Sequence, residues 1–398
     1  MGKIIVVGAG PGRIDLLTEE AKRTISQADI VLTTGHFSEL ASSLNSCCRV
    51  LPFGELITAV QSLPVESANA AVLVSGDTGF YSAAGRLCNE SSEIVWLNGI
   101  SSLQYLCAKC KVDYQDVVTV SVHGRKGSVI PYICYHPKVF VLTGGNQKAH
   151  HVLSEMVSCG LGKVRVTVGE NLSFKNESIC SGMASELMKK SFSELTALLI
   201  ENEGYVKPWE TLKDSDFIRG KVPMTKESVR ILSVEKLGVS PGDVVYDIGA
   251  GTGSVSVALA RKAYHSFVYA IESQADAVEL IRNNREKHRA FNLNIIFSEA
   301  PNGLDELPKP DKVFIGGSRG HMKELLDKLR SKNPTLKIVV NAITLETLQE
   351  TCNWMQEHGF RYQVTCINSS ESETVGRYHM MKAQNPVYII DGELDENN

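Results

Sequence analysis

The sequence has 398 residues, of which 43% are hydrophobic and 22% are charged. This composition is that of an ordinary globular protein and excludes a disordered or fibrous chain. The net charge of −4 provides no excess of cations for neutralising phosphates, which disfavours nucleic acid as a partner. The length exceeds what one hydrophobic core usually organises, so we expect two domains.

Neither a membrane span nor a secretion signal is visible in the sequence. No stretch approaches the roughly eighteen apolar residues that identify a membrane helix, and the opening apolar run is too short for a signal peptide. Ten cysteines stand at irregular positions, which suits a reducing compartment, so we expect a cytoplasmic protein without a membrane partner. Cys107 and Cys110 form a CxxC, but no second pair stands at zinc-ribbon spacing, and no bound metal is expected.

The first half alternates short β-branched runs with helix-like stretches, a pattern typical of buried parallel strands. The strand candidates are 3–7, 30–32, 71–74, 139–142 and 164–168. A polar stretch that contains Pro208 then interrupts the pattern, and residues 204–220 are the candidate linker. The chain therefore divides into a first domain of residues 1–203 and a second domain of residues 221–398.

A second series of strand candidates follows the linker, and helical stretches separate most of them. These candidates are 244–246, 267–271, 293–297, 312–315, 337–340 and 386–390. Such a βαβ series predicts a doubly wound α/β sheet. The acidic and polar residues 391–398 are expected to fray.

The sharpest motif is the glycine loop of the second half, Asp247-Ile248-Gly249-Ala250-Gly251-Thr252-Gly253, which follows a strand and precedes the helical run 254–262. Its glycines let the backbone turn tightly and approach a ligand closely. The dinucleotide pattern has a further glycine where this chain has Ser254. The Asp247 carboxylate suits a ligand with an ammonium and a sulfonium better than a pyrophosphate. The loop therefore favours S-adenosylmethionine over a nicotinamide dinucleotide. The candidate cofactor contacts are Asp247, Gly249, Ala250, Gly251, Thr252 and Gly253.

Two further strand ends supply residues that fit the same ligand. Glu272 ends the next strand, where an acid can accept hydrogen bonds from both ribose hydroxyls. Ser298-Glu299-Ala300-Pro301 follows the strand after that, at the level of an adenine ring, so Ala300 is a candidate contact. Three successive strand ends with fitting residues outweigh the alternative of a glycine-rich turn beside an incidental acid.

The glycine loop of the first half, Gly8-Ala9-Gly10-Pro11-Gly12, also follows a strand. Pro11 removes a backbone donor, and Arg13 stands where the dinucleotide pattern has its third glycine. The second strand ends without an acid, so a conventional Rossmann site is not expected here. Ser75-Gly76-Asp77-Thr78-Gly79-Phe80-Tyr81 forms a second turn that contains a carboxylate.

Five segments of the first half resemble the tetrapyrrole methylase family, and four of the second half resemble the decarboxylating methyltransferases of the same pathway. The first set is 7–12 with 15–18, 75–81, 99–104, 121–125 and 169–172. The second set is 220–226, the Asp247 loop, 314–320, and 378–381 with 385–387. Both sets in this order cover nearly the whole chain and resemble the bifunctional precorrin C5,15-methyltransferases. The chain departs from the pattern at Thr78 and Asn98, where the family usually carries proline.

The resemblance implies a two-lobed tetrapyrrole methylase fold followed by a Rossmann-like class I methyltransferase sheet. It implies one S-adenosylmethionine per domain, with methylation of a corrinoid precursor at carbon 5 by the first. The second domain would methylate carbon 15 and remove the ring-C acetate carboxyl as carbon dioxide. The substrate would be precorrin-6B or cobalt-precorrin-6B/7, and the resemblance also implies a homo-oligomer. The cofactor contacts that it implies are Gly8, Gly10, Pro11, Gly12, Asp77, Gly79, Phe80, Ser101, Ser102 and Thr225.

Four residues are candidates for direct roles on this substrate. Because the substrate is a polycarboxylate, bidentate guanidinium recognition would orient it, with Arg125 in the first site and Arg319 in the second. His123 has the residue type to take the proton lost at carbon 5, and a structural role is the alternative. His379 is the corresponding candidate for proton transfer in the second site, and the alternative role is that of a hydrogen-bonded core residue.

Three other functions stay open on the sequence alone: a methyltransferase acting on RNA or another acceptor, a nicotinamide-dependent oxidoreductase, and a binding module with one inactive site. The missing basic excess disfavours RNA, and the two glycine loops disfavour a nicotinamide cofactor. The basic run 282–289 is expected to be a solvated helix face rather than a binding patch.

Overall fold

The computed structural model describes residues 3–62, 69–87, 94–123 and 127–394. The chain forms two compact units, Met1–Val129 with Pro137–Glu203, and Ile130–His136 with Gly204–Asn398. In the part of the chain that the structure describes, no helix is both long and apolar enough to cross a bilayer.

The first unit is built from short strands and helices. Its strands are β1 (Ile4–Gly8), β2 (Ile30–Thr33), β3 (Cys48–Val50), β4 (Ala70–Val74), β5 (Ile94–Leu97), β6 (Val117–Ser121), β7 (Lys138–Leu142), β8 (Arg165–Glu170), β9 (Ser178–Met183) and β10 (Thr196–Glu201). The helices in this part of the sequence are α1 (Glu19–Gln27), α2 (Ser38–Leu44), α3 (Phe53–Gln61), α4 (Ala84–Leu87), α5 (Ser102–Cys110), α6 (Ile130–Tyr135), α7 (Ala149–Ser158) and α8 (Ala184–Leu187). Of these, α6 groups with the second unit.

Two sheets organise the first unit. The first has the order β3-β2-β4-β1-β5 and is parallel throughout. The second has the order β6-β7-β10-β8-β9, and β10 runs antiparallel to both β7 and β8. The parallel pairing expected for these strands is confirmed between β7 and β6, and it is wrong for β8, which is antiparallel to both of its neighbours. These strands are buried through their middle residues, and burial on both faces makes an antiparallel strand read like a parallel one.

Three loops meet at the carboxyl ends of β1, β4 and β5. Gly10 and Gly76 exchange backbone hydrogen bonds of 3.1 and 2.9 Å. A Cβ on Gly99 would lie 2.5 Å from the carbonyl oxygens of both Gly8 and Gly76. Only glycine at position 99 allows the three loops to approach this closely.

The second unit contains β11 (Val245–Ile248), β12 (Val268–Glu272), β13 (Leu293–Phe297), β14 (Lys312–Ile315), β15 (Lys337–Ala342), β16 (Phe360–Ile367), β17 (Ser370–Val375), β18 (Tyr378–Ala383) and β19 (Val387–Leu394). Its longer helices are α9 (Glu227–Leu237), α10 (Ser254–Lys262), α11 (Ala275–Lys287), α12 (Met322–Lys332) and α13 (Leu345–Glu357). The helical run predicted over 254–262 has the same bounds as α10.

The main sheet of the second unit has the order β13-β12-β11-β14-β15-β19-β16. Its first five strands are parallel, and β19 runs antiparallel to both of its neighbours. Apolar side chains of α9, α10 and α11 cover one face of the sheet, and those of α12 and α13 cover the other. The predicted doubly wound α/β sheet is confirmed. The expected fraying is wrong for residues 391–394, because they are hydrogen-bonded within β19.

The strand order of this sheet reverses at β11. From β11 the chain adds β12 and β13 on one side and later β14 and β15 on the other. Loops that leave neighbouring strands in opposite directions open a crevice outside their carboxyl ends. The sheet therefore predicts a ligand site above β11 and β14.

Replacing Gly99 by alanine should destabilise the protein by about 1–3 kcal/mol, because the added Cβ is accommodated only if a neighbouring backbone moves. Denaturant-induced unfolding followed by circular dichroism measures this change. Gly54→Ala is the matched control, since a Cβ there meets nothing within 4 Å and the residue lies inside α3. Equal unfolding free energies for Gly99→Ala and the wild type would contradict the close approach of these loops.

Candidate functional site

A cavity of about 1000 Å³ opens at the carboxyl ends of β11, β12, β13 and β14. Its walls include the glycine loop 249–252, Glu272, residues 298–300 and the loop 316–319. Small-molecule pockets range from roughly 300 to 1,000 Å³, so this cavity can hold a cofactor together with part of a larger substrate. The three strand ends singled out in the second half of the sequence thus lie around one cavity.

The glycine loop after β11 is held against the loop after β14. Gly249 has a φ of 72°, and a Cβ there would lie 2.7 Å from the carbonyl oxygen of Gly317. The backbone N–H of Gly249 donates to the carbonyl oxygen of Ile271 at 3.0 Å. The missing side chain therefore lets both loops approach and leaves their backbone exposed toward the cavity.

Glu272 ties the glycine loop to the end of β12. Its carboxylate accepts hydrogen bonds from the backbone N–H groups of Gly251 at 2.9 Å, Ser273 at 2.8 Å and Gln274 at 2.9 Å. The residue is 7% exposed and lines the cavity. A carboxylate offers about four acceptor positions, so about one remains for a ribose hydroxyl beside the three backbone donors. This is one fewer than the two ribose contacts expected from the sequence.

Asp247 lies beneath the glycine loop and is fully buried. One carboxyl oxygen accepts a hydrogen bond from the Ser256 hydroxyl of α10, and within the described residues the other, Oδ1, has no partner. Burial, assisted by the nearby Glu272 carboxylate and opposed by the Ser256 hydrogen bond, raises the pKa of Asp247 to about 7. Asp247 is absent from the cavity wall, so its charge would act on a ligand through the loop and not by direct contact.

Charged side chains of both signs line the cavity. The cations are Lys226, Arg319 and Lys382, and the carboxylates are Glu272, Glu299, Glu371 and Glu373. Arg319 has a φ of 51°, a left-handed conformation that is uncommon outside glycine and often occurs at functional sites. Lys382 forms an ion pair of 3.1 Å with Glu373 across the β17–β18 hairpin. The Arg319 guanidinium and the Lys226 ammonium are the groups of this wall that suit carboxylates of a ligand, since Lys382 already pairs with Glu373.

The predicted first-half contacts gather where the loops after β1, β4 and β5 meet. Asp77 accepts hydrogen bonds from the N–H of Gly79 at 2.8 Å and from that of Gly99 at 3.1 Å, so its carboxylate ties two loops together. Ser101 is the N-cap of α5 and accepts from the N–H of Gln104 at 3.2 Å. The structure thus brings three further groups to one edge of the parallel sheet. They are Gly8, Gly10, Pro11 and Gly12 after β1, Gly79 and Phe80 after β4, and Ser102 at the start of α5.

Comparison with known proteins identifies both halves. The sequence profile of the tetrapyrrole (corrin/porphyrin) methylases matches residues 3–188, and that of the precorrin methyltransferase domain matches residues 216–392. A protein of Methanococcus vannielii named probable cobalt-precorrin-6B C(15)-methyltransferase (decarboxylating) is 34% identical over 45% of this chain and 97% of its own length.

A relative of the fused type covers both halves at once. The precorrin-6Y C(5,15)-methyltransferase (decarboxylating) of a Sinorhizobium species is 28% identical over 86% of this chain and 85% of its own length. The chain belongs to the precorrin methyltransferase family. It is therefore a methyltransferase that uses S-adenosylmethionine as methyl donor. A solved structure named precorrin-6Y C5,15-methyltransferase, from Geobacter metallireducens, matches 46% of this chain and 96% of its own at 35% identity, with a TM-score of 0.44.

The candidates for direct roles in the tetrapyrrole methylase domain are His123 and Arg125. His123 Nδ1 lies 3.4 Å from the carbonyl oxygen of Thr143, and its ring lies against Gly144, where a Cβ would be 1.9 Å from Nδ1. This packing fixes the ring beside the end of β7. Arg125 lies outside the described residues.

His379 lies on the exposed hairpin of the precorrin methyltransferase domain. It is opposite Thr374 in the β17–β18 pairing and does not line the cavity, although Lys382 of the same strand does. Side chains alternate between the two faces of a strand, so His379 and Lys382 point to opposite faces. The alternative of a buried core histidine is wrong, because His379 is exposed.

Several polar residues of the cavity wall were not assigned to the site from sequence. They include Lys226, Ser273, Gln274, Asn341, Glu371, Glu373, Lys382, Gln384 and Asn385. Asn341 lies near the carboxyl end of β15, where the strand-end rule that found Glu272 would also have found it. The Ser233 hydroxyl of α9 lies 3.0 Å from the Asn341 side-chain amide and fixes its orientation. Lys382 lies in the β17–β18 hairpin and Gln384 follows it directly, and no pattern in the sequence predicts this hairpin.

The buried Asp247 should make stability depend on pH between about 4 and 7. Its pKa is about 7 in the folded chain against an ordinary value of 3.8, so its stabilising contribution is fully present below the lower value. This contribution is lost as the pH rises through the folded-state pKa. Asp247→Asn cannot ionise and should gain stability relative to the wild type as the pH increases from 4 to 8. Denaturant titrations over this pH range measure the difference, and a constant difference would contradict the burial effect.

Proposed function

We propose that this chain methylates a corrinoid precursor at carbons 5 and 15 and removes the ring-C acetate carboxyl as carbon dioxide, in cobalamin biosynthesis. The supporting observation is a cofactor-sized cavity whose wall includes Arg319 and Lys226, in a chain that matches both the tetrapyrrole methylases and the precorrin methyltransferases. The substrate is precorrin-6B, which lacks cobalt, or cobalt-precorrin-6B/7, which contains it.

The two reactions are divided between the two domains. Residues 1–203 form the tetrapyrrole methylase domain that methylates carbon 5, and residues 204–220 form the linker. Residues 221–398 methylate carbon 15 and carry out the decarboxylation. Each domain binds one S-adenosylmethionine, and the enzyme is a cytoplasmic homo-oligomer without a nucleic-acid or membrane partner.

The cavity of the second domain fits S-adenosylmethionine in its donor and acceptor groups. When bound, S-adenosylmethionine supplies an electrophilic methyl group on a sulfonium. The Glu272 carboxylate accepts a hydrogen bond from a ribose hydroxyl. Ala300 and Thr225 also line the cavity. The loop of Gly249, Ala250, Gly251 and Thr252 presents backbone to the ligand, and Gly253, outside the cavity wall, is the N-cap of α10. The buried Asp247 carboxyl adds negative potential beneath a cationic ligand, and a cation above it favours its ionised form.

Arg319, Lys226 and Lys382 orient the substrate through its carboxylates. Methyl transfer from a sulfonium to a nucleophilic ring carbon mainly requires alignment of the two and exclusion of water. In the decarboxylation, the bond between the acetate methylene and its carboxylate breaks, and the electron pair enters the conjugated macrocycle as carbon dioxide leaves. A proton from solvent then adds to the methylene carbon, which becomes a methyl group. Because the macrocycle serves as the electron sink, this step requires no protein-bound metal.

In the first domain, Arg125 has the corresponding orienting role and His123 receives the proton that carbon 5 loses. The cofactor contacts are the loop residues after β1, β4 and β5 together with Ser101 and Ser102. The position of His379 on the hairpin face opposite Lys382 gives no support for a proton transfer at the second site, and we assign it none.

Isothermal titration should detect two equivalents of S-adenosylmethionine per chain. Glu272→Gln should weaken the second-domain site by about tenfold or more, because the amide loses acceptor capacity for both the loop N–H groups and the ribose. Asp77→Asn, which alters the corresponding loop tie in the first domain, should leave the second-domain site unchanged. Two equivalents of unchanged affinity in Glu272→Gln would contradict the second-domain site.

Mass spectrometry of precorrin-6B incubations, with and without cobalt, should show the gain of two methyl groups and the loss of one carbon dioxide. Arg319→Gln should lower kcat/KM for the second methylation and the decarboxylation by about 10- to 100-fold, because one substrate carboxylate loses its guanidinium partner. Arg330→Gln, on α12 and outside the cavity wall, is the matched control and should behave as wild type. Full decarboxylation by Arg319→Gln at the wild-type rate would exclude the proposed role.

A further inference from the structure

A second pocket lies in the second unit and shares no residue with the large cavity. Its volume is about 370 Å³, within the size range of small-molecule sites. Four of its lining side chains are cationic, Lys207, Arg261, Lys287 and Arg289, and one is a carboxylate, Glu210. The pocket therefore carries a strong excess of positive charge, in a protein whose net charge is −4.

Arg261 of α10 forms the buried wall of this pocket. The residue is 6% exposed, and Nη1 donates to the carbonyl oxygen of Glu210 at 2.9 Å, while Nε has no hydrogen-bond partner among the described residues. Other arginines of this unit form ion pairs within 4 Å, such as Arg230 with Asp214, but none in the described part of the chain involves Arg261. The Glu210 and Asp216 carboxylates act on Arg261 only from beyond ion-pair distance. A buried guanidinium without an anion in contact is costly, so the pocket wall can gain from a bound anion.

Arg289 is held at the mouth of the same pocket by two features. A Cβ on Gly204 would lie 1.5 Å from Nη1 of Arg289, so the guanidinium lies directly against the Gly204 backbone. Arg289 also has a φ of 52°, an uncommon conformation for a residue with a side chain. His288, between the two cationic side chains of its loop, is uncharged at neutral pH, because burial and the nearby Arg261 lower its pKa to about 4.

The basic run 282–289 divides between two environments. Arg282 is 60% exposed and pairs with Glu279 on the surface of α11, as expected for a solvated helix face. Lys287 and Arg289, at the end of the same run, line the pocket. Arg282, Lys287 and Arg289 are all exposed, as expected for a solvated face, and the last two also line the pocket.

We propose that this pocket binds a phosphate-bearing small molecule. Two guanidinium groups present planar sets of N–H donors that match phosphate oxygens, and two lysines add positive charge at the rim. The net positive charge of four cations and one carboxylate exceeds the single negative charge of a carboxylate ligand. A phosphate carries more negative charge and is therefore favoured. The site is separate from methyl transfer and does not depend on the function proposed above.

Isothermal titration of the full chain with pyrophosphate, at constant ionic strength, tests this site. The wild type should bind one equivalent. Arg289→Gln should raise the Kd by about tenfold, because a charged hydrogen-bond donor is lost. Gly204→Ala should raise it several-fold without removing any charge, since the new Cβ displaces the guanidinium. Arg282→Gln removes the same charge from the same run outside the pocket, and its Kd should equal that of the wild type.

Three results would overturn the proposal. The first is no binding of pyrophosphate to the wild type. The second is equal weakening by Arg282→Gln and Arg289→Gln, which would indicate a general effect of surface charge. The third is binding of tricarballylate as tight as that of pyrophosphate, which would assign the pocket to carboxylates. Circular dichroism and methyl transfer should be the same in all variants, so a loss of binding cannot be ascribed to unfolding.

Discussion

The ligand cavity of the second unit depends on the hydrogen bonds that the Glu272 carboxylate accepts from the N–H groups of Gly251, Ser273 and Gln274. A buried carboxylate needs such donors, and the donors here belong to two different loops. The glycine loop therefore stays against the end of β12 and does not collapse into the crevice. Asp77 does the same for two loops of the first unit, so both units use one carboxylate to fix the loops at the carboxyl ends of their parallel strands.

Much of the second unit follows from local patterns in the sequence. The glycine loop, the helix from Ser254 to Lys262 and the acid at the end of β12 all lie where the sequence predicts them. These features depend on neighbouring residues, namely the alternation of apolar runs, the placement of glycines and the polar residue that ends a strand. Because parallel strands share a carboxyl edge, the strand ends also predict which residues meet at the cavity.

The remaining features depend on contacts between distant residues. The burial of Asp247 depends on α10, whose Ser256 hydroxyl covers the carboxyl group, so its distance from the cavity surface has no local signal. Every residue of β17 and β18 is exposed, so these strands lack the apolar alternation by which strands are recognised, and Lys382 was missed with them. The antiparallel pairing of β7 and β8 with β10 also has no local signal in the sequence, because burial patterns do not encode strand direction.

The position of β19 has a consequence for the order in which the second unit is built during synthesis. This strand comes after all the others of its sheet along the chain, yet it lies between β15 and β16 and pairs with both. Until β19 has emerged from the ribosome, β15 is left as an open sheet edge and β16 has no partner in the sheet. The growing chain must therefore hold an incomplete sheet in solution, at a stage when the strands of the first unit have already been made.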